Sequence, residues 1–275
     1  MATGVRKIVL LTLGWEEIPK SVSVHGASED ERLLAPVPGI LLQTDGGWLL
    51  LDTGFNLPLI TDPALYRRFF PVPTYKPVVP GPGEPLYEAL DRAGVPIDDI
   101  HAVAVSHLHH DHAGGLKHFA GRVPVHAQRA ELAWGMSGRP DLEQHGTARV
   151  EFDDPRIDWR LADGQEAIAP GVTVVPTYGH TPGHQSFVVE LDDSVGGGGY
   201  VFACDAADLT ENIEHELAIG VYVDVSADQT IEPIRRLKAI AAERGFPVIP
   251  GHDPEAWPRY TREMASRFAA AFARG

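Results

Sequence analysis

Four histidines and one aspartate fall within six consecutive positions of the chain, a density that suggests a metal site. The cluster runs Ser106-His107-Leu108-His109-His110-Asp111-His112-Ala113-Gly114-Gly115, directly after the apolar residues 103–105. Those apolar residues are typical of a buried strand, and a short loop after a rigid strand can direct several donors to one point. Imidazole nitrogens with one carboxylate suit zinc, iron, cobalt or manganese. We therefore expect this loop to bind metal.

Three further ligand candidates follow apolar strands later in the chain, namely His180, Asp205 and His252. Each has the same order of apolar strand, small residue, ligand and polar loop. We set His184 aside because its neighbours place it at the start of the following strand. Five histidines and one aspartate exceed one tetrahedral ligand set, so we expect two ions, with Asp205 able to bridge them. For six other histidines we expect surface or ordinary buried positions: His25, His101, His118, His126, His145 and His215.

The composition disfavours several classes of protein. With 275 residues, 44% of them hydrophobic, the chain is expected to be globular with a sizeable core. The formal net charge of -15, from 23 Lys and Arg against 38 Asp and Glu, disfavours a nucleic-acid partner, which needs clustered cations. No apolar run approaches the ~20 residues of a transmembrane helix, so we expect no membrane partner. The single Cys204 excludes an intrachain disulfide and fits a cytoplasmic location.

Apolar runs separated by turn residues predict alternating strands and helices. A first strand is expected at 8–13, not a secretion signal, because the run is short and acidic residues follow it. Strands at 39–44 and 48–51 flank a glycine turn typical of a hairpin, whereas 15–36 is expected to be surface loop. Later strands are expected at 100–106, 123–125, 159–162, 172–176, 185–191, 200–203 and 247–250. Helices are expected at 84–93, 116–119, 128–136, 231–244 and 256–273. The pattern predicts one domain over 1–275, with two mixed layers face to face and helices outside.

Residues 55–85 interrupt this regular pattern, because eight prolines break any sheet ladder. Only 64–70 is expected to form a short helix. The five aromatic residues of the segment favour an apolar cover over a free linker. Such a long irregular segment in a compact domain is usually a lid, a binding loop or an oligomer arm. We expect either a lid over the site or the contact of a homodimer.

Asp52 follows the strand at 48–51, in the turn Asp52-Thr53-Gly54. Two interpretations remain open at this point. The carboxylate either supports a metal ligand from behind or caps its own backbone in the turn.

Four stretches make the chain similar to a known family, the metallo-β-lactamase superfamily. They are Ser106 to Gly115, His180-Thr181-Pro182-Gly183-His184-Gln185-Ser186, Cys204-Asp205-Ala206 with Thr210-Glu211-Asn212, and Gly251-His252-Asp253. Within the superfamily the chain resembles the N-acyl-homoserine lactonases that quench bacterial quorum signals. The resemblance extends from about residue 48 to 255. It implies an α+β fold, the four-layer αββα sandwich, with a dinuclear metal centre at one edge.

The resemblance also implies a role for each ligand. One ion would be held by His107, His109 and His180, the other by Asp111, His112 and His252, and Asp205 would bridge them. Two divalent ions are implied, zinc first, with iron, cobalt or manganese as alternatives. The implied reaction is attack of an activated water on a lactone carbonyl, with Asp111 orienting the water and passing a proton to the leaving oxygen. Cys204 is expected to pack in the core, since its strand parity directs it away from the ligands.

The chain departs from the lactonases at Asp208. Those enzymes commonly have a tyrosine three residues after the bridging aspartate, and it donates a hydrogen bond to the substrate. An ionised carboxylate accepts but does not donate. Either another donor replaces the tyrosine, with Tyr178 and Tyr222 as candidates, or the substrate differs. His110, which has no ligand role, is a candidate pocket residue.

Several activities remain open on the same metal centre. The first hypothesis is a lactonase acting on a small-molecule lactone, specifically an N-acyl-homoserine lactone. The alternatives are another lactone or ester hydrolase, a thioesterase or a β-lactamase. A non-catalytic binding protein is disfavoured because all seven ligands are present, and a nuclease is disfavoured by the acidic composition.

Overall fold

The computed structural model describes residues 4–71 and 74–272, and seven of its strands form one mixed sheet. The strand order is β4-β1-β2-β3-β5-β6-β7. The pairs from β3 to β7 are parallel, whereas β1, β2, β3 and β4 pair antiparallel. The strands are β1 Lys7–Pro19, β2 Arg32–Thr44, β3 Gly47–Leu51, β4 Lys76–Val78, β5 Ile100–Ala104, β6 Pro124–Gln128 and β7 Asp158–Ala162.

A second sheet of five strands follows in the chain, in the order β12-β11-β10-β9-β8. Only the edge pair of β11 and β12 is parallel among its described pairings. The strands are β8 Glu166–Ala169, β9 Val172–Pro176, β10 Gln185–Glu190, β11 Gly199–Cys204 and β12 Val248–Pro250.

The α-helices of the described residues are short except for the last two. Glycine in a left-handed conformation ends α4 at Gly94 and α8 at Gly245, as expected for a helix C-terminus. The helices are α1 Lys20–Ser23, α2 Leu57–Thr61, α3 Pro63–Phe69, α4 Pro85–Ala93, α5 His110–Ala113, α6 Arg129–Gly135, α7 Thr210–His215, α8 Ile231–Arg244 and α9 Ala256–Phe272. None of the described helices is long and apolar enough to cross a membrane.

Three apolar clusters show that the elements form four layers. The central cluster joins the facing sides of both sheets, for example Leu51 with Phe187 and Phe202. On the outer side of the first sheet, Leu50 and its neighbours pack with residues of α4. On the outer side of the second sheet, Val201 and its neighbours pack with residues of α8. The order helix, sheet, sheet, helix confirms the predicted αββα sandwich.

The structure corrects the prediction for residues 15–36. We expected surface loop, but β1 continues to Pro19 and β2 already begins at Arg32. The two long strands pair over twelve positions, with one irregularity between Thr12 and Gly14. Acidic residues in the run obscured the strand, because only one of its faces is buried.

The described parts of the segment 55–85, residues 55–71 and 74–85, contain more regular structure and more buried side chains than its prolines suggest. It forms α2, α3 and β4, whereas we expected only a short helix at 64–70. Phe55, Leu59, Phe69 and Phe70 are buried, so the segment contributes core as well as cover. Proline is tolerated here because it lies in the first turn of α2, α3 and α4, where its missing N–H costs nothing.

Candidate metal centre

The predicted ligands meet at one edge of the sandwich, where the C-terminal ends of β5, β9, β11 and β12 come together. The described residues contain two principal groups whose ligand atoms lie within 4.8 Å of one another. The first group is His107, His109 and His180, and the second is Asp111, His112, Asp205 and His252. Every member is buried. The structure therefore brings all seven sequence-predicted ligands together.

Asp205 lies between the two groups and presents one oxygen to each. Its Oδ1 is 3.2 Å from Nε2 of both His112 and His252. Its Oδ2 is 3.3 Å from Nε2 of His180 and 3.8 Å from Nε2 of His107. A carboxylate in this position suits a bridge between two cations.

Hydrogen bonds behind the ligands orient their rings. When Nδ1 of an imidazole donates to a fixed acceptor, Nε2 keeps its lone pair for a metal. Four ligands have such an acceptor. Nδ1 lies 2.9 Å from Ser106 Oγ in His107 and 2.9 Å from Asp52 Oδ2 in His112. It lies 3.0 Å from the Val221 carbonyl in His180 and 2.9 Å from the Pro36 carbonyl in His252.

Orphaned nitrogens test whether this pocket fits metal ions. The buried Nε2 atoms of His107 and His112 form no hydrogen bond with the described residues, although carboxylate oxygens lie 3.8 Å and 3.0 Å from them. A buried polar atom without a partner is costly, and a metal ion would satisfy it. The donor set of imidazoles and carboxylates also matches what zinc and related ions prefer. The residues therefore fit two divalent ions.

The pKa values of the histidines differ between the two groups. Burial lowers the pKa of His107 and His109 well below the ordinary value, which favours neutral ligands. Burial opposes the charge of His252, but three carboxylates, Asp205 with Asp208 and Asp111, together outweigh it and raise the pKa of His252 to about 10. The carboxylates of the second group thus favour positive charge at this point, which a bound dication would supply.

Asp52 supports the metal loop from behind, which settles its two interpretations in favour of a partner role. It has a left-handed φ of 58° at the end of β3. Its Oδ1 accepts the backbone N–H of Ser106 at 2.7 Å. Its Oδ2 accepts the Ser106 hydroxyl and lies 2.9 Å from Nδ1 of His112. A strained residue at such a point is typical of functional sites.

Asp52→Asn should lower metal affinity by about 10-fold to 100-fold, because the amide presents a donor to His112 and leaves it without its acceptor. Competition with a chromophoric zinc chelator measures this directly. The exposed Asp91 of α4 gives the matched control, Asp91→Asn, whose affinity should be unchanged. Unaltered affinity in Asp52→Asn would show that Asp52 does not support the site.

His184 holds the backbone at Asp205, and Cys204 packs beside it in the core. The Nε2 of His184 accepts the N–H of Asp205 at 3.1 Å, and its Nδ1 lies 2.8 Å from the Thr177 hydroxyl. His184 is close enough to form a third ligand group with His107 and Asp205, but its Nε2 already has this partner. Cys204 has a φ of 49° and packs in the central core, as expected.

Glu131 connects the two loops that supply the first ligand group, a role the sequence did not reveal. The side chain is fully buried on α6. Its oxygens accept the N–H of Leu108 at 2.9 Å, the hydroxyl of Thr181 at 2.7 Å and the N–H of Gly183 at 3.0 Å. Burial raises the pKa of Glu131 to about 7, although these donors oppose the shift.

Glu131→Gln should destabilise the protein by about 3 kcal/mol, because the amide NH₂ faces donors and leaves buried groups unpaired. Chemical denaturation measures the free energy of unfolding. The exposed Glu243 of α8 supplies the control Glu243→Gln, which should change stability by less than about 0.5 kcal/mol. Equal stabilities of the two variants would contradict the connecting role.

A cavity of about 260 Å³ opens onto the metal centre. Its wall includes the ligands His109, Asp111, His180, Asp205 and His252. The remaining wall comes from β1 and α1, from the 55–85 segment and from residues 143–146. Both the loop predicted at 15–36 and the irregular region around 143–146, including His145, thus contribute cavity residues that the sequence did not indicate.

His110 joins the 55–85 segment to the metal loop through ring stacking. Its ring centre lies 4.6 Å from that of Phe70 and 5.3 Å from that of Tyr75, with nearly parallel planes. Burial lowers the pKa of His110 to about 4, so the ring is neutral. All three side chains line the cavity, which places His110 where we expected it.

Of the other three predicted pocket residues, one lines the cavity and two do not. Asp208 is buried and lines the cavity. Tyr178 and Tyr222 are not among the described residues that line it. Tyr178 is 43% exposed and donates to Gln128 instead, and the Tyr222 ring lies beside His25. Neither tyrosine is therefore placed to replace the missing donor.

Comparison with known proteins identifies the family. The chain belongs to the metallo-beta-lactamase superfamily, whose family model matches residues 35–252. An N-acyl homoserine lactonase from a Bacillus species is 30% identical over 252 residues, which cover 91% of this chain and 94% of that protein. The N-acyl homoserine lactonase AttM of Azorhizobium caulinodans is 30% identical over 234 residues, covering 82% of this chain and 85% of AttM.

Solved structures are similar over the same length. A mutant of B. thuringiensis AiiA with N-decanoyl-L-homoserine bound at the active site has a TM-score of 0.79 and 27% identity, covering 92% of this chain and 95% of that chain. An N-acyl homoserine lactone hydrolase with the product N-hexanoyl-L-homoserine at its catalytic metal center has the same TM-score, identity and coverage. These likenesses extend over more than nine-tenths of the chain.

Proposed function

We propose that this chain is a metal-dependent hydrolase that opens the ring of N-acyl-homoserine lactones. The observation that carries the proposal is the buried seven-ligand centre at the base of a partly apolar cavity. Curated relatives named N-acyl homoserine lactonase match more than nine-tenths of the chain, which supports the same activity.

Seven residues of this chain would hold two zinc ions, with iron, cobalt or manganese as alternatives. His107, His109 and His180 would bind one ion, Asp111, His112 and His252 the other, and Asp205 both. Bound in this way, the ions supply a Lewis acid for the ester carbonyl and bring the pKa of water toward neutrality. We assign catalytic roles to Asp111 and Asp205.

Asp111 is the residue placed to move a proton. Its carboxylate lines the cavity and lies 3.0 Å from Nε2 of His112. His112 and His252 outweigh the effect of burial and hold the pKa of Asp111 below its usual range. Asp111 therefore starts as an acceptor that can orient the attacking water, take its proton and deliver it to the alkoxide that leaves when the ring opens.

The remaining cavity wall suits an acyl chain. Ile18, Val22, Phe69, Phe70 and Tyr75 form an apolar surface next to the ligands. Small-molecule sites are commonly apolar, with a few polar groups that fix orientation. The 55–85 segment supplies three of these residues, so we propose that it covers the site of its own chain.

The charge of the cavity favours an uncharged substrate over the alternatives. Five of the lining residues are acidic, and no Lys or Arg occurs among the described residues that line it. A β-lactam carries a carboxylate and a coenzyme A thioester carries phosphates, and apart from the metal ions neither anion would find a Lys or Arg side chain here. This observation supports a lactone before a thioester or a β-lactam.

A substrate panel tests the proposal. The purified, zinc-loaded protein is assayed with N-acyl-homoserine lactones of different chain length, simple γ-lactones, aryl esters, a thioester and a β-lactam. We expect the highest kcat/KM with the homoserine lactones. Strong β-lactam turnover with no lactone opening would eliminate the proposal.

Two further expectations belong to the same proposal. We propose a cytoplasmic location, which fits the lone cysteine. The alternative to a cover is that residues 55–85 form the contact of a homodimer. Light scattering of the purified protein measures its mass and distinguishes a monomer from a dimer.

A further inference from the structure

Two carboxylates line the cavity without belonging to the metal ligands. Glu16 and Asp208 are each only 5% exposed. Glu16 Oε1 and Asp208 Oδ1 have no hydrogen-bond partner among the residues that the structure describes. Neither side chain belongs to the groups whose ligand atoms lie within 4.8 Å of one another, so these oxygens are separate from the predicted metal site.

The fold holds both carboxylates against the cavity. β1 alternates between its faces, so Glu16 points inward while Glu17 pairs with Lys76 and Arg32 at the surface. Asp208 follows β11, and its carbonyl accepts the N–H of His252 at 2.9 Å. Both positions are therefore built into elements that also carry or contact the metal centre.

Glu16 and Asp208 each leave one buried oxygen without a partner among the described residues, and its position at the cavity wall points to a partner from outside. Burying a carboxylate without a partner is costly, and apolar replacements are often more stable. No Lys or Arg occurs among the described residues that line the cavity, so neither serves as that partner. The missing group is therefore a hydrogen-bond donor brought by the ligand.

We propose that Glu16 and Asp208 form a subsite that accepts hydrogen bonds from an N–H group next to the hydrolysed ester. This inference rests on the proposed lactonase function and names a feature of its substrate. A lactone with an N–H on the carbon beside its carbonyl offers a donor to these oxygens, whereas a lactone without an N–H leaves both of them unpaired. The carboxylate of Asp208 thus accepts a hydrogen bond from a donor on the substrate.

A matched set of four lactones tests the subsite. They are N-hexanoyl-homoserine lactone, its N-methyl amide, the free α-amino lactone and γ-butyrolactone. We expect kcat/KM to fall about 30-fold when the amide N–H is methylated, since buried acceptors then stay unpaired. A higher kcat/KM for the amide than for the amine indicates that the subsite prefers a neutral donor, and the reverse order indicates that it prefers an ammonium group. Either order supports the subsite.

Variants separate donor recognition from the bulk of the added methyl group. In the double variant Glu16→Met and Asp208→Leu, we expect the ratio between amide and N-methyl amide to fall to within about 3-fold. Glu16→Gln with Asp208→Asn provides a second pair that keeps side-chain volume and should reduce the ratio less. Glu17→Gln, on the opposite face of β1, is the control and should keep the wild-type ratio.

Thermal stability gives a readout independent of turnover. If the carboxylates serve recognition, the Met and Leu replacements should keep or raise Tm, whereas a structural role predicts a lower Tm. Equal wild-type rates with the amide and its N-methyl analogue would overturn the subsite alone. Failure to open any of the four lactones would overturn the lactonase proposal together with it.

Discussion

Replacing Asp205 by Asn is expected to lower kcat/KM for lactone opening by about 10³-fold or more. The variant removes the one carboxylate whose two oxygens face both ligand groups. An amide has a single oxygen and a donor NH₂, so one of the two ligand groups would face a hydrogen where the carboxylate offered an oxygen. Loss of a preorganised electrostatic contact at the reacting centre is among the largest effects of single substitutions.

Steady-state kinetics and metal content are measured together on this variant. We expect fewer than two ions per chain and near-wild-type secondary structure by circular dichroism. The exposed Asp228 provides the control Asp228→Asn, with unchanged kinetics. An Asp205→Asn protein that keeps both its ions and its activity would refute the bridging role.

Removing the metal ions is expected to abolish hydrolysis and to lower Tm by about 10 °C. A ligand that binds only the folded state at 1,000 times its Kd stabilises by about 4 kcal/mol, and chelation withdraws that contribution. At this chain length each kcal/mol corresponds to about 2–4 °C. The buried carboxylates Asp111 and Asp205 then repel each other without a dication between them.

Elemental analysis of the purified protein should show about two divalent ions per chain. The chelated protein is then titrated with zinc, and both activity and Tm should recover together near two equivalents. Magnesium serves as the control, because it prefers all-oxygen sites and should restore neither. A folded, active sample without transition metal would overturn the central interpretation.

The ligands could be recognised from the sequence because their signal is local. Each follows an apolar strand directly, and strand ends of neighbouring strands meet at the same edge of a sheet. His107 and His112 therefore already appeared as ligands beside their strand, and His180, Asp205 and His252 shared the pattern. The αββα layers followed in the same way from the alternation of strands and amphipathic helices.

The supporting carboxylates could not be recognised because their roles depend on distant partners. Glu131 lies in a helix where an acidic residue is usually exposed, and only the packing of the 107–112 and 180–184 loops reveals its three donors. Glu16 lies beside Glu17, and the pair looks like solvated charge. We predicted the first strand only to residue 13, so we did not recognise the alternation that places Glu16 inside and Glu17 at the surface.

The division of the ligands between the two sheets has a mechanical consequence. The first sheet contributes His107 and His109 while the second contributes His180, and the other group likewise joins Asp111 and His112 to His252. Each bound ion would thus act as a reversible cross-link between the halves of the sandwich, in a chain whose single cysteine forms no covalent one. The sheets would have to dock before either site was complete, and would separate only after releasing both ions.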